Sequence, residues 1–311
     1  MSIFRLPSPE QQVNYKPLNK RGIELWIKRD DLIHTEVSGN KWRKLKWNIA
    51  NAIQNENNTL LTFGGAFSNH IAATAAAAKI HGLKSIGIIR GEDADLQNPT
   101  LSKASDCGMK LQLITREEYR RINDRDYIEL LRHQFGSFYL IPQGGENYYG
   151  VQGCGEIMSE LTHAYNRIFV ACGTATTLSG LAIANTSRSD IYGVSALKGG
   201  VFLIENVKKF VSKTFNDQET EREILSKVHL LTDYHCGGYA KVTPDLIEFM
   251  RNFTSESGVE LDPVYTAKTA LGMEALAEEK GDFSEEKWLF IHSGGMQGLQ
   301  SIERKIGEKI Y

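Results

Sequence analysis

The feature that most constrains the fold of this chain is the repeated alternation of short apolar segments, rich in β-branched residues, with longer helix-forming segments. The apolar segments predict strands at residues 25–28, 59–63, 84–90, 110–114, 138–141, 167–171, 190–195, 227–231 and 288–292. Helical spacing predicts a helix that opens near residue 41 and helices at residues 69–81, 99–107, 116–135, 151–164, 176–187, 205–223, 243–257, 267–280 and 295–306. Strands that alternate with helices form parallel sheets covered by helices, so the sequence predicts an α/β fold with ligands at the carboxyl ends of the strands.

The composition and the charge balance exclude several classes of function. With 311 residues, of which 41% are hydrophobic and 24% are charged, the chain can bury enough core for two modest domains. Its 36 basic and 38 acidic residues leave a net charge of -2, which provides no general attraction for nucleic acid or for an anionic membrane surface. The expected partner is therefore a small molecule.

The distribution of apolar residues and cysteines bears on the cellular location. No apolar run approaches the roughly 18 residues of a membrane span, and the amino terminus does not lead into the apolar core of a signal peptide. The cysteines are far apart, form no CxxC pair and show no metal-ligand spacing; they are Cys107, Cys154, Cys172 and Cys236. The sequence predicts reduced thiols, no metal site and a cytoplasmic protein.

Lys41 is a candidate for covalent catalysis. It ends the stretch 38–41, Ser-Gly-Asn-Lys, whose first three residues favour a turn or a helix cap. Trp42, Leu45 and Ile49 then follow at helical spacing, which places the amine at the start of a helix. A lysine amine can condense with an aldehyde cofactor. The alternative is that Lys41 and its basic neighbours form the solvated face of an amphipathic helix.

Two glycine-containing turns between a strand and a helix are candidate anion sites. In residues 63–70, two glycines permit close backbone approach, and Ser68 or Asn69 caps a helix whose amino terminus suits a carboxylate. In residues 172–177, small residues and hydroxyls at a helix start suit a phosphate. This second turn lacks the lysine of a Walker A loop and the spacing of a dinucleotide fingerprint, which favours a phosphate on a larger cofactor. The alternative for both turns is an ordinary capped helix.

A third turn, at residues 291–295, places the Ser293 hydroxyl beside two glycines after a strand, where it can approach a flat ring. Considered together, these motifs resemble, in order and spacing, the pyridoxal-phosphate family that contains D-cysteine desulfhydrase and 1-aminocyclopropane-1-carboxylate deaminase. The matching stretches are residues 25–32, 38–41, 64–69, 173–177, 261–266 and 292–295.

The resemblance implies a fold and a domain organisation. The family has the fold of the tryptophan synthase β-subunit, known as fold type II, in which parallel sheets are flanked by helices. Residues 1–48 and 149–311 are then expected to form a large cofactor-binding domain, and residues 49–148 an inserted smaller α/β domain. The family is usually homodimeric, so a homodimer is expected.

The resemblance also implies roles for matched residues. Lys41 is similar to the lysine that forms a Schiff base with pyridoxal 5'-phosphate and later moves protons, and Asn69 is similar to the asparagine that bonds the ring oxygen of the cofactor. The residues expected to contact the substrate are Ser68, Asn69 and His70. The expected phosphate loop is Gly173, Thr174, Ala175, Thr176 and Thr177, with Ala175 where the family often has glycine. Tyr239 and Tyr265 resemble tyrosines that face the substrate, and Ser68, Tyr239 and Tyr265 are counted with Lys41 as catalytic.

Two positions bear on the reaction. The deaminases of this family have a glutamate that pairs with the pyridine nitrogen, whereas this chain has Thr266 at that position and Ser293 after its C-terminal histidine. A hydroxyl leaves the ring nitrogen nearer neutral, which suits the α,β-elimination of a thiolate. The resemblance therefore implies a desulfhydrase that converts D-cysteine to pyruvate, ammonia and sulfide. The alternatives are the deaminase, which forms 2-oxobutanoate and ammonia, another elimination substrate, and a binding protein without turnover.

Overall fold

The structure is a computed structural model that describes residues 3–279 and 283–311. The chain divides into two compact units, Met1–Asn40 with Val151–Tyr311, called unit 1, and Lys41–Gly150, called unit 2. Each unit is an α/β structure with its own sheet, and the α/β fold predicted from the sequence is confirmed. The predicted boundaries after residues 48 and 148 stay a prediction about folding domains.

The strands and helices of the described residues are numbered along the chain. The strands are β1 (Glu10–Val13), β2 (Glu24–Lys28), β3 (Thr59–Gly65), β4 (Lys84–Arg90), β5 (Met109–Ile114), β6 (Tyr139–Ile141), β7 (Arg167–Cys172), β8 (Asp190–Ser195), β9 (Val228–Leu231) and β10 (Lys287–Ile291). The helices are α1 (Lys16–Asn19), α2 (Asn40–Gln54), α3 (Asn69–Ile80), α4 (Pro99–Asp106), α5 (Arg125–Phe135), α6 (Tyr148–Ser159), α7 (Thr176–Ile183), α8 (Leu203–Thr214), α9 (Gln218–Ser226), α10 (Pro244–Ser257), α11 (Thr266–Glu279) and α12 (Leu299–Ile306). None of these helices combines the length and the hydropathy needed to cross a bilayer.

Unit 1 contains a six-stranded sheet in the order β1-β2-β10-β7-β8-β9. Its strands are parallel except for β1, which pairs antiparallel with β2 at the edge. Both faces of the sheet are covered, since Trp288 and Phe290 of β10 belong to one apolar core and Leu289 and Ile291 belong to the other. Because successive side chains of a strand point to opposite faces, this alternation is expected for a central parallel strand.

Unit 2 contains a four-stranded parallel sheet in the order β5-β4-β3-β6. The alanine-rich helix α3 is buried almost throughout and contributes Ile71 and Ala75 to a core on one face of this sheet. Leu61 and Phe63 of β3 lie in a second core of the same unit. The small alanine side chains allow α3 to lie close to β3, which positions the turn between them.

Two predictions from the sequence are wrong, and one strand was not predicted. The single helix predicted over 116–135 is wrong, because the backbone of Asp124 is extended and α5 starts only after it. The single helix predicted over 205–223 is also wrong, because the Asp217 side chain accepts a hydrogen bond from the Thr220 N–H at 2.9 Å and starts a new helix. Strand β1 was not predicted, since Glu-Gln-Gln-Val offers no apolar alternation and depends on its pairing with β2.

Candidate active site

The turn between β7 and α7 forms the predicted phosphate loop in unit 1. Ala175 is the N-cap residue of α7 and adopts a left-handed backbone conformation, with φ of 62°, that glycine adopts more readily. Since Ala175 has no polar side-chain atom, it makes no side-chain cap at the start of α7. The Thr174 and Thr176 hydroxyl oxygens are 2.9 Å apart. These donors at a helix amino terminus suit a phosphate.

Asn40 connects the phosphate loop to the turn that precedes Lys41. Its Nδ2 donates to the Thr177 Oγ1 at 3.1 Å, and its backbone N–H donates to the Ser293 carbonyl oxygen at 3.2 Å. Asn40 and Thr177 are both buried. Asn40 is the last residue of unit 1, and one peptide bond joins it to Lys41. The chain segment that leads into Lys41 is therefore anchored to the phosphate loop.

Two glycines allow the turns at 38–40 and 293–295 to touch backbone to backbone. A Cβ at Gly39, whose φ is 64°, would lie 1.9 Å from the Ser293 carbonyl oxygen. A Cβ at Gly294 would lie 2.5 Å from the Ser38 Oγ. A side chain at Gly39 would collide with the backbone of the opposite turn, whereas one at Gly294 would displace the Ser38 side chain and strain a backbone whose φ is 78°. The contact therefore favours glycine at both positions.

The hydroxyls of Thr266 and Ser293 differ in their hydrogen bonding. Thr266 is fully buried, and its Oγ1 donates to the Asp262 Oδ2 at 2.7 Å and accepts from the Asp262 N–H at 2.7 Å. Its hydrogen-bonding capacity is therefore used within the start of α11. Ser293 is 5% exposed at the end of β10, and no described residue bonds its hydroxyl. Of these two hydroxyls, the one of Ser293 is available to a ligand.

Asp262 lies within the matching stretch 261–266, but the sequence assigns it no role. Its Oδ1 accepts from the N–H groups of Val264 and Tyr265, both at 2.9 Å, and its Oδ2 accepts from the Thr266 N–H at 2.8 Å. The carboxylate thus caps α11 and fixes the backbone of Tyr265. The signal for this role was present, since an aspartate followed by proline commonly precedes a helix.

The two predicted tyrosines meet beside the phosphate loop. The Tyr265 hydroxyl donates to the Tyr239 hydroxyl at 3.3 Å, and the two rings are T-shaped with centroids 6.0 Å apart. A Cβ at Gly173 would lie 3.3 Å from the Tyr265 Cε1, so this ring packs against the phosphate loop. Burial, with a further effect of Tyr239, raises the pKa of Tyr265 well above its ordinary value. The Tyr265 hydroxyl therefore stays protonated throughout the physiological range and acts as a hydrogen-bond donor.

Ser68 and Asn69 lie at the start of α3 in unit 2, as predicted. Ser68 is the N-cap residue, and its Oγ accepts from the Ile71 N–H at 3.4 Å. A Cβ at Gly64 would lie 2.8 Å from this Oγ, so the glycine makes room for the serine. Ser68 and Asn69 are half-buried. Their predicted contacts with substrate and cofactor stay predictions.

His70 is buried with a fixed tautomer. The Thr62 Oγ1 donates to the Ile141 carbonyl oxygen at 2.8 Å, so it can only accept from the His70 Nε2, which is 2.9 Å away. The Nδ1 then carries the lone pair. Burial, and next the positive charges of Lys41 and Lys44, lower the pKa of His70 to about 3. The imidazole is therefore neutral at physiological pH, and its substrate contact stays a prediction.

The low pKa of His70 predicts a pH dependence of stability. Because the pKa of His70 is about 3 in the folded protein and 6.5 ordinarily, the stabilisation is complete above 6.5 and is lost as the pH falls toward 3. The free energy of unfolding of the wild type should fall by up to about 1.4 kcal/mol per pH unit more steeply than that of His70→Gln. Urea denaturation between pH 7 and pH 4 measures this difference. The exposed His133 provides the control, since His133→Gln should leave the slope unchanged.

The sequence matches the family of pyridoxal-phosphate dependent enzymes over residues 7–294. The match includes every residue to which the sequence assigned a role. The chain belongs to this family. As a pyridoxal-phosphate-dependent enzyme it carries out amino-acid chemistry of the kind that this cofactor supports.

Similar proteins refine this result. The bifunctional D-cysteine desulfhydrase/1-aminocyclopropane-1-carboxylate deaminase of Arabidopsis thaliana, a mitochondrial protein, is 32% identical over 96% of this chain and 78% of its own length. The D-cysteine desulfhydrase of Klebsiella pneumoniae is 28% identical over 89% of this chain and 88% of its own length. The crystal structure of an ACC deaminase homologue superposes with a TM-score of 0.82 at 27% identity, covering 98% of this chain and 94% of that chain. Structures of threonine deaminase and of a serine ammonia-lyase share the fold.

The residues of this enzyme fit three groups of its cofactor, which are the phosphate, the ring nitrogen and the aldehyde. The uncapped start of α7, beside the Thr174 and Thr176 hydroxyls, suits the phosphate. The Ser293 hydroxyl, which no described residue bonds, suits the ring nitrogen. Lys41 follows the anchored Asn40 and is the second residue of α2, where its amine suits the aldehyde.

Proposed function

We propose that this enzyme catalyses α,β-elimination from a small amino acid, with D-cysteine as the favoured substrate and pyruvate, ammonia and sulfide as the products. The observation that carries the proposal is the difference between Ser293 and Asp262. The Ser293 hydroxyl is open to the ring nitrogen, whereas the Asp262 carboxylate accepts four hydrogen bonds at the start of α11. The group that hydrogen-bonds the ring nitrogen is therefore a hydroxyl and not a carboxylate.

The residues of the two units have distinct tasks in this proposal. Pyridoxal phosphate, when bound, supplies the electron sink for the amino acid. The Lys41 Nζ removes the proton from the Cα of the substrate and later returns a proton to the product. The amino terminus of α3, with Ser68 as its N-cap, binds the substrate carboxylate. The Tyr239 hydroxyl, which accepts a hydrogen bond from Tyr265 and keeps its own proton available, donates a hydrogen bond to the departing sulfur.

The choice of elimination follows from the charge of the ring nitrogen. A carboxylate partner would hold this nitrogen protonated, whereas a serine hydroxyl leaves it nearer neutral and weakens the electron sink. A thiolate leaves with its own electron pair, so the elimination of cysteine tolerates the weaker sink. Opening a cyclopropane ring has no comparable leaving group and depends more on the sink.

The deamination of 1-aminocyclopropane-1-carboxylate is the second candidate. It is supported by the name of the Arabidopsis relative, which carries both activities, and by the description of the similar crystal structure. Thr266 argues against the deamination, because its hydroxyl donates to the Asp262 Oδ2 and gives the ring nitrogen no acidic partner.

A keto-acid assay of the cofactor-loaded enzyme with four substrates tests the proposal. D-cysteine should give pyruvate and sulfide with a kcat/KM at least about 10-fold above the values for L-cysteine, D-serine and the cyclopropane amino acid. The reason is that the thiolate leaves readily and that the Ser293 hydroxyl, rather than a carboxylate, hydrogen-bonds the ring nitrogen. Formation of 2-oxobutanoate from the cyclopropane substrate alone would establish the deaminase. A spectral change on adding amino acid, without any keto acid, would show a binding protein.

A homodimer in the cytoplasm is the proposed state of the enzyme. The resemblance to a family that is usually homodimeric supports the dimer, and four widely spaced cysteines without a CxxC pair are compatible with a reducing compartment. Light scattering of the loaded enzyme should give twice the chain mass of 34.9 kDa. A mass equal to that of the single chain would refute the dimer.

A further inference from the structure

Lys268 is a fully buried lysine to which the proposed mechanism gives no task. It is the third residue of α11, and its Nζ donates to the Gly238 carbonyl oxygen at 2.8 Å. Burial lowers the pKa of Lys268, against the opposing effects of Cys236 and Asp262, the titratable groups that face it. An ammonium in the first turn of a helix opposes the helix dipole, and a buried charge is unfavourable for folding. A hydrocarbon side chain of the same length would fill this space at lower cost.

The partner of Lys268 belongs to an unusual loop between β9 and α10. Residues in this loop with left-handed φ values are Cys236 at 51°, Gly237 at 89°, Gly238 at 123° and Ala240 at 52°. Each non-glycine residue in this region costs roughly 1 kcal/mol. Such a backbone persists only where surrounding contacts hold it. The 235–240 loop therefore depends on contacts from outside its own sequence.

Few contacts hold the backbone of the 235–240 loop. Within the loop, the Gly237 N–H donates to the His235 Nδ1 and the Gly238 N–H donates to the His235 carbonyl oxygen, both at 3.0 Å. The N–H of Lys241, the next residue after the loop, donates to the Gly238 carbonyl oxygen at 3.2 Å. Cys236 and Ala240 also pack against a core of unit 1. Among the described residues outside this segment, Lys268 is the one whose side chain bonds the loop backbone. The Gly238 carbonyl oxygen is thus the point where helix α11 holds the loop.

The next residue in the loop is Tyr239, and its hydroxyl meets the hydroxyl of Tyr265 at 3.3 Å. Tyr265 immediately precedes α11 and lies three residues before Lys268. The start of α11 therefore contacts the loop twice, at the backbone of Gly238 and at the side chain of Tyr239. Tyr239 is 50% exposed, so packing alone does little to orient it.

We propose that Lys268 is a positioning residue for the reaction, whose hydrogen bond to Gly238 holds the 235–240 loop so that Tyr239 meets Tyr265 and faces the amino-acid substrate. The proposal rests on the proposed function, in which both tyrosines face the substrate. The phosphate loop and Ser293 are held by other contacts, those of Asn40. Loss of Lys268 should therefore affect the amino acid and spare the cofactor.

A double-mutant cycle between Lys268→Met and Tyr239→Phe tests the proposal on the cofactor-loaded enzyme. Lys268→Met should lower kcat/KM for the best amino acid about 10- to 100-fold, because one charge-assisted hydrogen bond is lost. In the Tyr239→Phe background, Lys268→Met should lower kcat/KM by less than about 3-fold, because both substitutions act through the side chain of Tyr239. The affinity for pyridoxal phosphate should be unchanged and Tm equal or higher. The control is Lys241→Met, which removes an exposed cation directly after the 235–240 loop.

A readout without turnover separates this proposal from the proposed function. In the variant Lys268→Met, amide hydrogen exchange should be faster in peptides covering 235–241 and unchanged in peptides covering α7. Equal losses in both backgrounds, or weaker cofactor binding with a lower Tm, would show a general structural role and overturn the proposal. Unchanged exchange at 235–241 would also overturn it. If the wild type forms no keto acid, the proposed function fails while the exchange experiment still decides the role of Lys268.

Discussion

The variant Lys41→Ala is expected to lose the absorbance band of the covalently held cofactor and at least about 10³-fold in turnover. The amine of Lys41 has two tasks in the proposed function, since it holds the aldehyde and moves the proton at the Cα of the substrate. Alanine can do neither. The absorbance spectrum after addition and removal of excess pyridoxal phosphate, together with the keto-acid assay, measures both losses.

The basic stretch that contains Lys41 supplies a matched control. Lys46 lies on the same helix, and its Nζ is 5.0 Å from the centroid of the Trp47 ring. Lys46→Ala removes the same charge and should retain both the absorbance band and turnover within about 3-fold, because Lys46 has no task in the proposed mechanism. Retention of the band in Lys41→Ala, or its loss in Lys46→Ala, would assign covalent attachment to another lysine.

The variant Gly39→Ala is expected to weaken both the fold and cofactor binding. Its Cβ would lie 1.9 Å from the carbonyl oxygen of Ser293, which is backbone and cannot rotate away, and φ is 64°. The left-handed backbone and the collision together should lower the free energy of unfolding by roughly 2–4 kcal/mol. Since Asn40 and Ser293 move with this contact, the Kd for pyridoxal phosphate should rise at least about 10-fold. Urea denaturation and fluorescence titration with the cofactor measure the two effects.

Gly258 separates backbone strain from collision. Its φ is 71°, but a Cβ there would meet no atom within 4 Å. Gly258→Ala should therefore cost only about 1 kcal/mol of stability and leave the cofactor Kd unchanged. Equal effects of the two variants on cofactor binding would show that the contact between the turns at 38–40 and 293–295 has no role in holding the cofactor.

Much of the site could be predicted because its motifs are local. A glycine pair after a strand, a serine at a helix start and a lysine after Ser-Gly-Asn each express a short-range conformational preference. Ser68 is the N-cap of α3 and residues 173–177 form a helix start, as these preferences indicate. Their catalytic and binding roles stay predictions until the variants are measured.

Contacts between distant residues could not be predicted in this way. The bond from Asn40 to Thr177 spans 137 residues, and the bond from Lys268 to Gly238 spans 30. The neutral tautomer of His70 depends on Thr62 and on the carbonyl of Ile141, which lies on a neighbouring strand. None of these pairs leaves a periodic or compositional signal in the sequence.

The sequence by itself determined the α/β fold class, the strand and helix alternation, and the identity of the cofactor family. The fold class and the alternation follow from apolar periodicity, which is a property of neighbouring residues, and the cofactor family follows from the resemblance of ordered short motifs to a known family. Only the tertiary structure decided that Thr266 is committed to Asp262 while Ser293 stays open, and that Lys268 holds the loop of Tyr239. The physical reason is that hydrogen-bond partners and burial depend on which segments meet in space. A serine, threonine or lysine is the same residue in the sequence whether or not its side chain has a partner in the fold.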